Sequence, residues 1–203
     1  MDNIEKELEA GRAVILPTET VYGIFAKALD QEAVDYIYEL KRRPRDKALN
    51  LNVADEKTIR IYSKNQPSYL TKLIHSFLPG PLTIILQANE NVPNWIHSGL
   101  DTVGFRIPAH PKTLDLIRKY GPLVGPSANL SGHASGTKYR AIVSEFDQVV
   151  PGIEDDDFLT GQDSTILDIS SSKARILRQG SITKVDLLAQ VPELSFEEDE
   201  LPQ

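Results

Sequence analysis

Four stretches of the sequence carry side chains that could bind a small charged ligand. They are PTETVYG at 17–23, KRRPRDK at 41–47, TVGFRI at 102–107 and GPSANLSGHASG at 125–136. The first offers hydroxyls, a carboxylate and a phenol, the next two offer cations, and the last offers serine, asparagine and glycine. Guanidinium groups bind phosphate and carboxylate oxygens in a two-pronged way, and backbone amides of a Gly-rich loop can bind phosphate. These residue types favour a site for a polar, negatively charged molecule.

Each stretch also has an interpretation that needs no ligand. In PTETVYG, Thr18 would cap a short helix and Gly23 would adopt an unusual backbone angle. The bases at 41–47 would favour the C-terminal end of a helix, and 125–136 would be a flexible surface loop. Arg106 would lie on the solvent face of a half-buried strand. Taken singly, none of the four stretches identifies a function.

The functional interpretation gives each stretch a task. Thr20 would offer its hydroxyl to a small polar ligand. Arg43 and Lys47 continue past the end of a predicted helix, where two cations beside a polar strand face would suit a triphosphate. Arg106 has small neighbours on its strand face, Thr102 among them, and this leaves room for a carboxylate.

Length and composition bound the class of protein. The chain has 203 residues, 40% hydrophobic and 25% charged, which fits a soluble globular protein with a single domain over 1–194. No apolar run approaches the length that spans a bilayer, and the first residues do not resemble a secretory signal. The absence of cysteine excludes disulfides, thiolate zinc sites and thiol nucleophiles, and it is compatible with a cytoplasmic protein.

The charge distribution separates acidic segments from a locally basic one. The net charge is −7, which argues against a general nucleic-acid binder. Four acids lie at 154–157 and four more at 197–200, so the rest of the chain is close to neutral. The second cluster belongs to 195–203, which is predicted to be a disordered acidic tail. The basic run at 41–47 could therefore serve a local anion site.

Hydrophobic periodicity predicts interleaved strands and helices. Strands are predicted at 13–17, 48–53, 82–86, 102–107, 123–125, 164–169 and 174–178, the last two as a hairpin. Helices are predicted at 1–11, 32–43, between 55 and 77, 111–120, from about 138, and 182–190. This order predicts a mixed α/β (α+β) fold, a mixed sheet with helices packed on it.

Common signatures of other site classes are absent from the sequence. It contains no P-loop, no dinucleotide-binding fingerprint and no nucleophile elbow. The four histidines, at 75, 97, 110 and 133, do not have the spacing of metal ligands, so no protein metal site is predicted.

The combination of motifs resembles the YrdC/Sua5 family, the threonylcarbamoyl-adenylate synthases, in its short single-domain form. The matching pieces are PTETVYG (17–23), K-x-R-P (41–44), FRIPAH (105–110), PSANLSG (126–132), DSTILD (163–168) and ILRQG (176–180). They follow the family's order over most of the chain. The resemblance implies an open twisted mixed sheet with helices around a deep basic cavity.

The resemblance also implies a reaction. L-threonine, bicarbonate and ATP, with Mg²⁺ accompanying the ATP, would give threonylcarbamoyl-AMP and pyrophosphate. Threonylcarbamoyl-transfer proteins would then carry the group to tRNA, which would meet this chain only indirectly or transiently. The protein would be a cytoplasmic nucleotidyltransferase with no membrane partner.

Site residues carry over from the family motifs. The residues that resemble threonine contacts are Thr20, Arg106, Ser127 and Ser164. Those that resemble nucleotide contacts are Lys41, Arg43, Lys47, Gly125, Asn129, Ser135 and Arg178. Lys41 and Arg43 would also be catalytic, because preorganised cations stabilise the charge on the leaving pyrophosphate.

Three positions depart from the family pattern. Lys47 stands where asparagine is frequent, Ala48 where proline is common, and Asn52 where many members have histidine. Asn52 and Thr102 are further candidates for the site, although asparagine carries no proton at neutral pH. The alternatives to a synthase are an RNA-binding module without chemistry, a related carbamoyl-type enzyme using another amino acid or nucleophile, and a catalytically weak family member.

Overall fold

The computed structural model describes residues 3–147 and 149–197. Over these residues the helices are α1 Asn3–Glu9, α2 Gln31–Leu40, α3 Glu56–Tyr62, α4 Leu70–Phe77, α5 Asn94–His97, α6 Pro111–Tyr120, α7 Tyr139–Glu145 and α8 Lys184–Gln190. The strands are β1 Val14–Leu16, β2 Gly23–Lys27, β3 Leu51–Asn52, β4 Ser63–Lys64, β5 Leu82–Ala88, β6 Thr102–Arg106, β7 Leu123–Val124, β8 Thr165–Asp168 and β9 Arg175–Arg178.

The strands form one mixed sheet. Their order is β1-β2-β7-β3-β6-β5-β8-β9, with β4 paired to β5. The β3/β6 and β5/β8 pairs are parallel, and the remaining pairs are antiparallel. The prediction of a mixed α/β fold is therefore confirmed, as is the hairpin of β8 and β9.

Apolar side chains pack on the two faces of this sheet in separate clusters. The larger cluster combines α2, α4 and α8 with the inward residues of the central strands, such as Leu51, Ile84 and Phe105. The smaller one packs α1 and α6 against β1, β2 and β7, and it includes Phe25. Apolar residues therefore cover both faces of β1, β2 and β7.

Side-chain caps explain where several helices begin. Asp30 accepts a hydrogen bond from the third residue of α2, and Asp55 does the same for α3. Thr183 and Asp186 form a reciprocal capping box at the start of α8. Pro111 occupies the first turn of α6, where its missing N–H costs nothing. The predicted bounds of α6 match the structure.

Within the described ranges, no helix has both the length and the apolar character needed to cross a membrane.

The strand β2 was missed by the sequence-based prediction. Residues 24–26 are apolar without alternation, because β2 lies between β1 and β7 in the sheet and the two apolar clusters cover its two faces. Gly23 opens this strand and does not have the positive φ that was predicted for it. A side chain at this position would instead contact the ring of Phe25. The need for glycine here is steric rather than conformational.

The end of α2 lies three residues earlier than predicted. The helix ends at Leu40, and Arg42 follows in the left-handed region with φ of 49°. The N–H of Arg42 donates to the carbonyl of Glu39 at 3.0 Å, and the N–H of Arg43 donates to that of Tyr38 at 2.9 Å. This is a Schellman motif, in which the chain reverses before Pro44 is reached.

Part of the segment predicted as an acidic tail is paired. Ser195 accepts a hydrogen bond from the N–H of Ala174 at 2.7 Å, and Glu197 donates its N–H to the carbonyl of Ala174 at 3.1 Å. Phe196 packs against the core. Residues 195–197 are thus not a free tail, and residues 198–203 lie outside the described residues.

Candidate functional site

One cavity joins the stretches that the sequence singled out. It has a volume of about 260 Å³, close to the lower end of small-molecule sites. The predicted site residues that line it are Arg43, Asn52, Arg106, Gly125, Ser127, Ser164 and Arg178. The cationic turn after α2, the end of β6 and the serine–asparagine loop therefore open onto a common space.

The register of the sheet explains why distant residues meet there. Asn52 lies opposite Arg106 in the parallel β3/β6 pair, and Ile166 lies opposite both Thr83 and Arg178. Since these residues lie side by side across five neighbouring strands, they form one row along the floor of the cavity. A shift of one residue in any strand would turn its member of the row to the other face.

Next to Asn52 in this row, Arg106 is bound to the turn that follows β1. Its Nη2 donates to Glu19 Oε1 at 2.6 Å and to Thr20 Oγ1 at 2.7 Å. The two charged side chains are only 13% and 14% exposed, so this ion pair is largely removed from water. The Nε of Arg106 is buried and has no hydrogen-bond partner. Arg106 is therefore held through Nη2, while Nη1 has no hydrogen bond to any described residue and remains for a ligand.

Glu19 fixes this arrangement from both of its oxygens. Oε2 accepts a hydrogen bond from the backbone N–H of Ala109 at 2.9 Å, while Oε1 binds Arg106. The sequence-based prediction assigned no role to Glu19. The sequence feature that could have pointed to Glu19 is a carboxylate placed directly after a buried strand. Its partner Arg106 lies 87 residues away, so the two could not be paired from the sequence.

The turn itself differs from the predicted helix cap. The hydroxyl of Thr18 donates to the carbonyl of Val21 at 2.7 Å and accepts from the N–H of Thr20 at 3.2 Å. The Thr18 side chain therefore closes a turn, and no helix begins here. It buries Thr20, whose hydroxyl reaches Arg106 although Thr20 does not itself line the cavity.

At the other side of the cavity, Ser164 connects β5, β8 and β9. Its hydroxyl lies 2.9 Å from that of Thr83 and accepts a hydrogen bond from Arg178 Nη2 at 3.0 Å. The Nε of Arg178 donates to the carbonyl of Ser164 at 2.9 Å. Burial lowers the pKa of Arg178, Asp163 acts in the opposite direction, and Arg106 lowers it further. Arg106 and Arg178 both line the cavity, so two guanidinium groups face the same space.

Asp163 is a second residue that the prediction missed. It lines the cavity and accepts hydrogen bonds of 3.2 Å at both oxygens from the hydroxyl of Ser135. Ser135 does not line the cavity and is connected to it through this carboxylate. Among the described lining residues, three arginines accompany the single carboxylate of Asp163, so the cavity is cationic within an acidic protein.

The cations at 41–47 that were predicted to bind phosphate differ in their position relative to the cavity. Arg43 lines the cavity and donates to the carbonyl of Lys47 at 3.2 Å and to that of Ala48 at 2.8 Å. Lys47 is exposed and outside the cavity lining. Lys41 is buried away from the lining, with its ammonium against the carbonyls of the serine–asparagine loop.

Glycine at 125 allows the loop to pass close to the sheet. A Cβ atom there would lie 2.4 Å from the ring of Phe25 and 2.7 Å from the Nδ2 of Asn52. Asn129 lies behind the cavity lining, where its Nδ2 donates to the carbonyls of Leu130 and His133. The Oδ1 of Asn129 is buried without a partner.

Thr102 lies away from the site. It is opposite Gln87 at the start of β6, four residues before Arg106, and it does not line the cavity. At about 3.3 Å per residue, this places Thr102 on the order of 13 Å from the cavity end of the strand. Thr102 is therefore not among the predicted residues that the structure brings together at this cavity.

Comparison with known proteins identifies the family. The Sua5/YciO/YrdC family model, described as "Telomere recombination", matches residues 6–180. A threonylcarbamoyl-AMP synthase of Pyrococcus abyssi is 38% identical over 177 residues, 86% of this chain and 52% of that protein. A threonylcarbamoyl-AMP synthase of Vibrio parahaemolyticus is 31% identical over 188 residues, 89% of this chain and 100% of that protein.

A solved structure agrees with this match. The crystal structure of P. abyssi Sua5 complexed with L-threonine has a TM-score of 0.85 at 34% identity, over 95% of this chain and 57% of that chain. The chain thus spans about half the length of the Pyrococcus relative. The motifs and the fold agree with the sequence match, and the chain belongs to the Sua5/YciO/YrdC family.

Proposed function

We propose that the chain is a threonylcarbamoyl-AMP synthase, which forms threonylcarbamoyl-AMP and pyrophosphate from L-threonine, bicarbonate and ATP. The relatives in Pyrococcus and Vibrio carry that name, and P. abyssi Sua5 binds L-threonine in a crystal structure. The observation that carries the proposal is the single cavity in which Arg106, Ser127 and Arg43 converge.

The amino acid would bind at the Arg106 end. Its carboxylate would pair with Nη1 of the guanidinium, which the Glu19 turn leaves free. Ser164 and Thr83 offer hydroxyls in the same cavity. Binding of a carboxylate to Arg106 would also reduce the repulsion between Arg106 and Arg178.

The nucleotide would bind between the Gly125 loop and Arg43. The backbone at Gly125 can approach a flat ligand closely, since it carries no side chain. Arg43 is oriented by two carbonyls and presents its guanidinium to the cavity, where phosphate oxygens would be bound.

Two bonds would form during the reaction. The amine of threonine attacks the carbon of bicarbonate, and water leaves to give a carbamate. A carbamate oxygen then attacks the α-phosphorus of ATP, and pyrophosphate leaves with the bonding electron pair. Because the carbamate is unstable in water, the main contributions of the protein would be proximity and exclusion of water. Arg43 would stabilise the charge that develops on pyrophosphate.

Magnesium would enter with ATP. In nucleotide sites Mg²⁺ is usually held by one or two carboxylates together with substrate phosphates. Asp163 supplies one carboxylate to the cavity, so this donor set fits a metal carried by the nucleotide. When bound, Mg²⁺ would neutralise phosphate charge. The product would pass in the cytoplasm to transfer proteins that modify tRNA.

The test is direct detection of the adenylate. The protein is incubated with ATP, Mg²⁺, L-threonine and bicarbonate, and the product is identified by mass spectrometry beside reactions that omit one component or replace threonine with serine. We expect threonylcarbamoyl-AMP in the complete reaction and a much smaller serine product. Failure to form any adenylate, while the Pyrococcus enzyme forms it in parallel, would overturn the proposal.

A further inference from the structure

Lys41 is a buried charged side chain that the proposed chemistry does not use. It is 2% exposed and caps the C-terminus of α2. It does not line the cavity, although it lies only two residues before Arg43, which does. A buried ammonium is costly unless hydrogen bonds compensate it.

Lys41 makes three hydrogen bonds to one loop. Its ammonium donates to the carbonyl of Ser127 at 2.5 Å and to the carbonyl of Asn129. Its own backbone carbonyl accepts from the N–H of Ser131 at 2.9 Å. Ser127 lines the cavity, so the contact is made directly behind the wall on which the nucleotide would lie.

The turn after α2 separates the tasks of Lys41 and Arg43. Because Arg42 is in the left-handed region, the chain reverses between them. Lys41 reaches the 127–131 loop, while Arg43 binds carbonyls of its own turn, those of Lys47 and Ala48, and lines the cavity.

A charged group near Lys41 also contacts this loop. Burial lowers the pKa of Lys41 to about 8, Arg43 lowers it further, and Glu145 raises it. Glu145 itself accepts from the N–H of Leu130 at 3.0 Å and lies 2.7 Å from His133 Nδ1. A cation and an anion from two different helices therefore hold the loop between them.

We propose that Lys41 is a positioning residue that fixes the 127–131 loop for the nucleotide and does not itself contact phosphate. That a nucleotide binds at this loop rests on the proposed function, whereas the conformation of the loop in the free protein does not. With Lys41 removed, the carbonyls of Ser127 and Asn129 lose their donor, and the loop loses its fixed conformation in the free protein.

The first experiment measures amide hydrogen exchange of the free protein over 127–137. Lys41→Met keeps the length of the side chain but removes its donors, Lys41→Arg keeps a cation, and Arg43→Met is the matched control. We expect at least tenfold faster exchange of the loop in Lys41→Met, partial protection in Lys41→Arg, and wild-type exchange in Arg43→Met. The affinity for ATP, measured by direct binding, should fall in Lys41→Met. Unchanged loop exchange in Lys41→Met would by itself overturn the inference.

A second experiment needs no variant and covers the case in which Lys41→Met does not fold. Wild-type protein is acetylated with an N-hydroxysuccinimide ester, with and without ATP, and each lysine is quantified by mass spectrometry. We expect Lys41 to react far more slowly than the exposed Lys47 in both conditions. Rapid acetylation of Lys41 that ATP suppresses would show a phosphate contact and refute the inference. Neither experiment requires adenylate formation, so each can fail or succeed independently of the proposed function.

Discussion

The ion pair of Glu19 and Arg106 shows how one residue can decide what another is able to bind. With both oxygens engaged, Glu19 fixes Nη2 of Arg106 and leaves Nη1 without a hydrogen bond to the described part of the protein. A guanidinium held by flexible partners would lose more side-chain entropy on binding a ligand than one that is already fixed. Preorganisation by Glu19 is therefore part of the amino-acid site.

Replacing Arg106 should affect the amino acid more than the nucleotide. Two charge-assisted hydrogen bonds to a carboxylate contribute on the order of 3 kcal/mol, so Arg106→Ala should raise the KM for threonine roughly a hundredfold. Pyrophosphate release at varied threonine concentration measures this, with Arg140→Ala as control, since the Arg140 side chain is 89% exposed. An unchanged KM for threonine in Arg106→Ala would remove Arg106 from the amino-acid site.

Replacing Arg43 should affect turnover. Loss of one preorganised donor to a developing charge costs on the order of 3 kcal/mol in the transition state, so Arg43→Ala should lower kcat about a hundredfold. The same pyrophosphate assay, at saturating threonine and ATP, measures it. Near-normal turnover in this variant would contradict the role of Arg43 in stabilising the leaving group.

Among the elements, the β8–β9 hairpin positions Ser164 and Arg178 and depends on a polar contact at its far end. Asp168 accepts hydrogen bonds from the N–H of Ser170 at 2.9 Å, from its hydroxyl at 2.6 Å and from Arg175 Nη2 at 2.9 Å. Burial alone would raise the pKa of Asp168, but these bonds outweigh it and hold the pKa below its usual value.

This lowered pKa gives a pH-dependent contribution to stability. Because the pKa of Asp168 is lower in the folded state, its contribution is complete above the unfolded value of about 4 and is lost as pH falls through the folded one. Asp168→Asn should lower Tm by roughly 3–6 °C at pH 7, as expected for about 1–2 kcal/mol in a protein of this size. Thermal unfolding followed by circular dichroism should show the difference shrinking below about pH 4. A constant difference at all pH values would exclude the Asp168 charge as its source.

The limits of sequence-based prediction also lie at the scale of elements. Long amphipathic segments such as α6 were predicted because their periodicity is local. The strand β2 was missed because it is buried on both faces, and β3 was predicted as a longer strand although only Leu51–Asn52 pair. The motifs at 17–23 and 105–110 were found from the sequence, but the contacts made by two of the motif residues were not. Glu19 binds a partner 87 residues away, and the partners of Lys41 are 86 or more residues away. Such contacts depend on how loops distant in sequence come together in the fold, which a single sequence does not reveal.

At the scale of the whole molecule, a locally cationic cavity lies within a protein whose net charge is negative. The net charge is −7, yet three arginines line one cavity of about 260 Å³. Outside it, the exposed Arg45 of the basic run is paired with Asp35. This arrangement suits a small anionic substrate that enters the cavity, and it opposes a long polyanion lying across the surface.

The salt dependence of RNA affinity tests this distribution. An RNA-binding module that neutralises Z phosphates shows a slope of about −0.7Z to −0.9Z in a plot of log affinity against log salt. Since the cavity cations are recessed and the rest of the protein repels phosphate, we expect weak tRNA binding with a slope shallower than about −2. Fluorescence anisotropy with labelled tRNA between low and physiological salt measures it. A slope steeper than about −5 would require at least five surface phosphate contacts, and the chain would then be an RNA-binding protein whose basic run at 41–47 faces the nucleic acid rather than ATP.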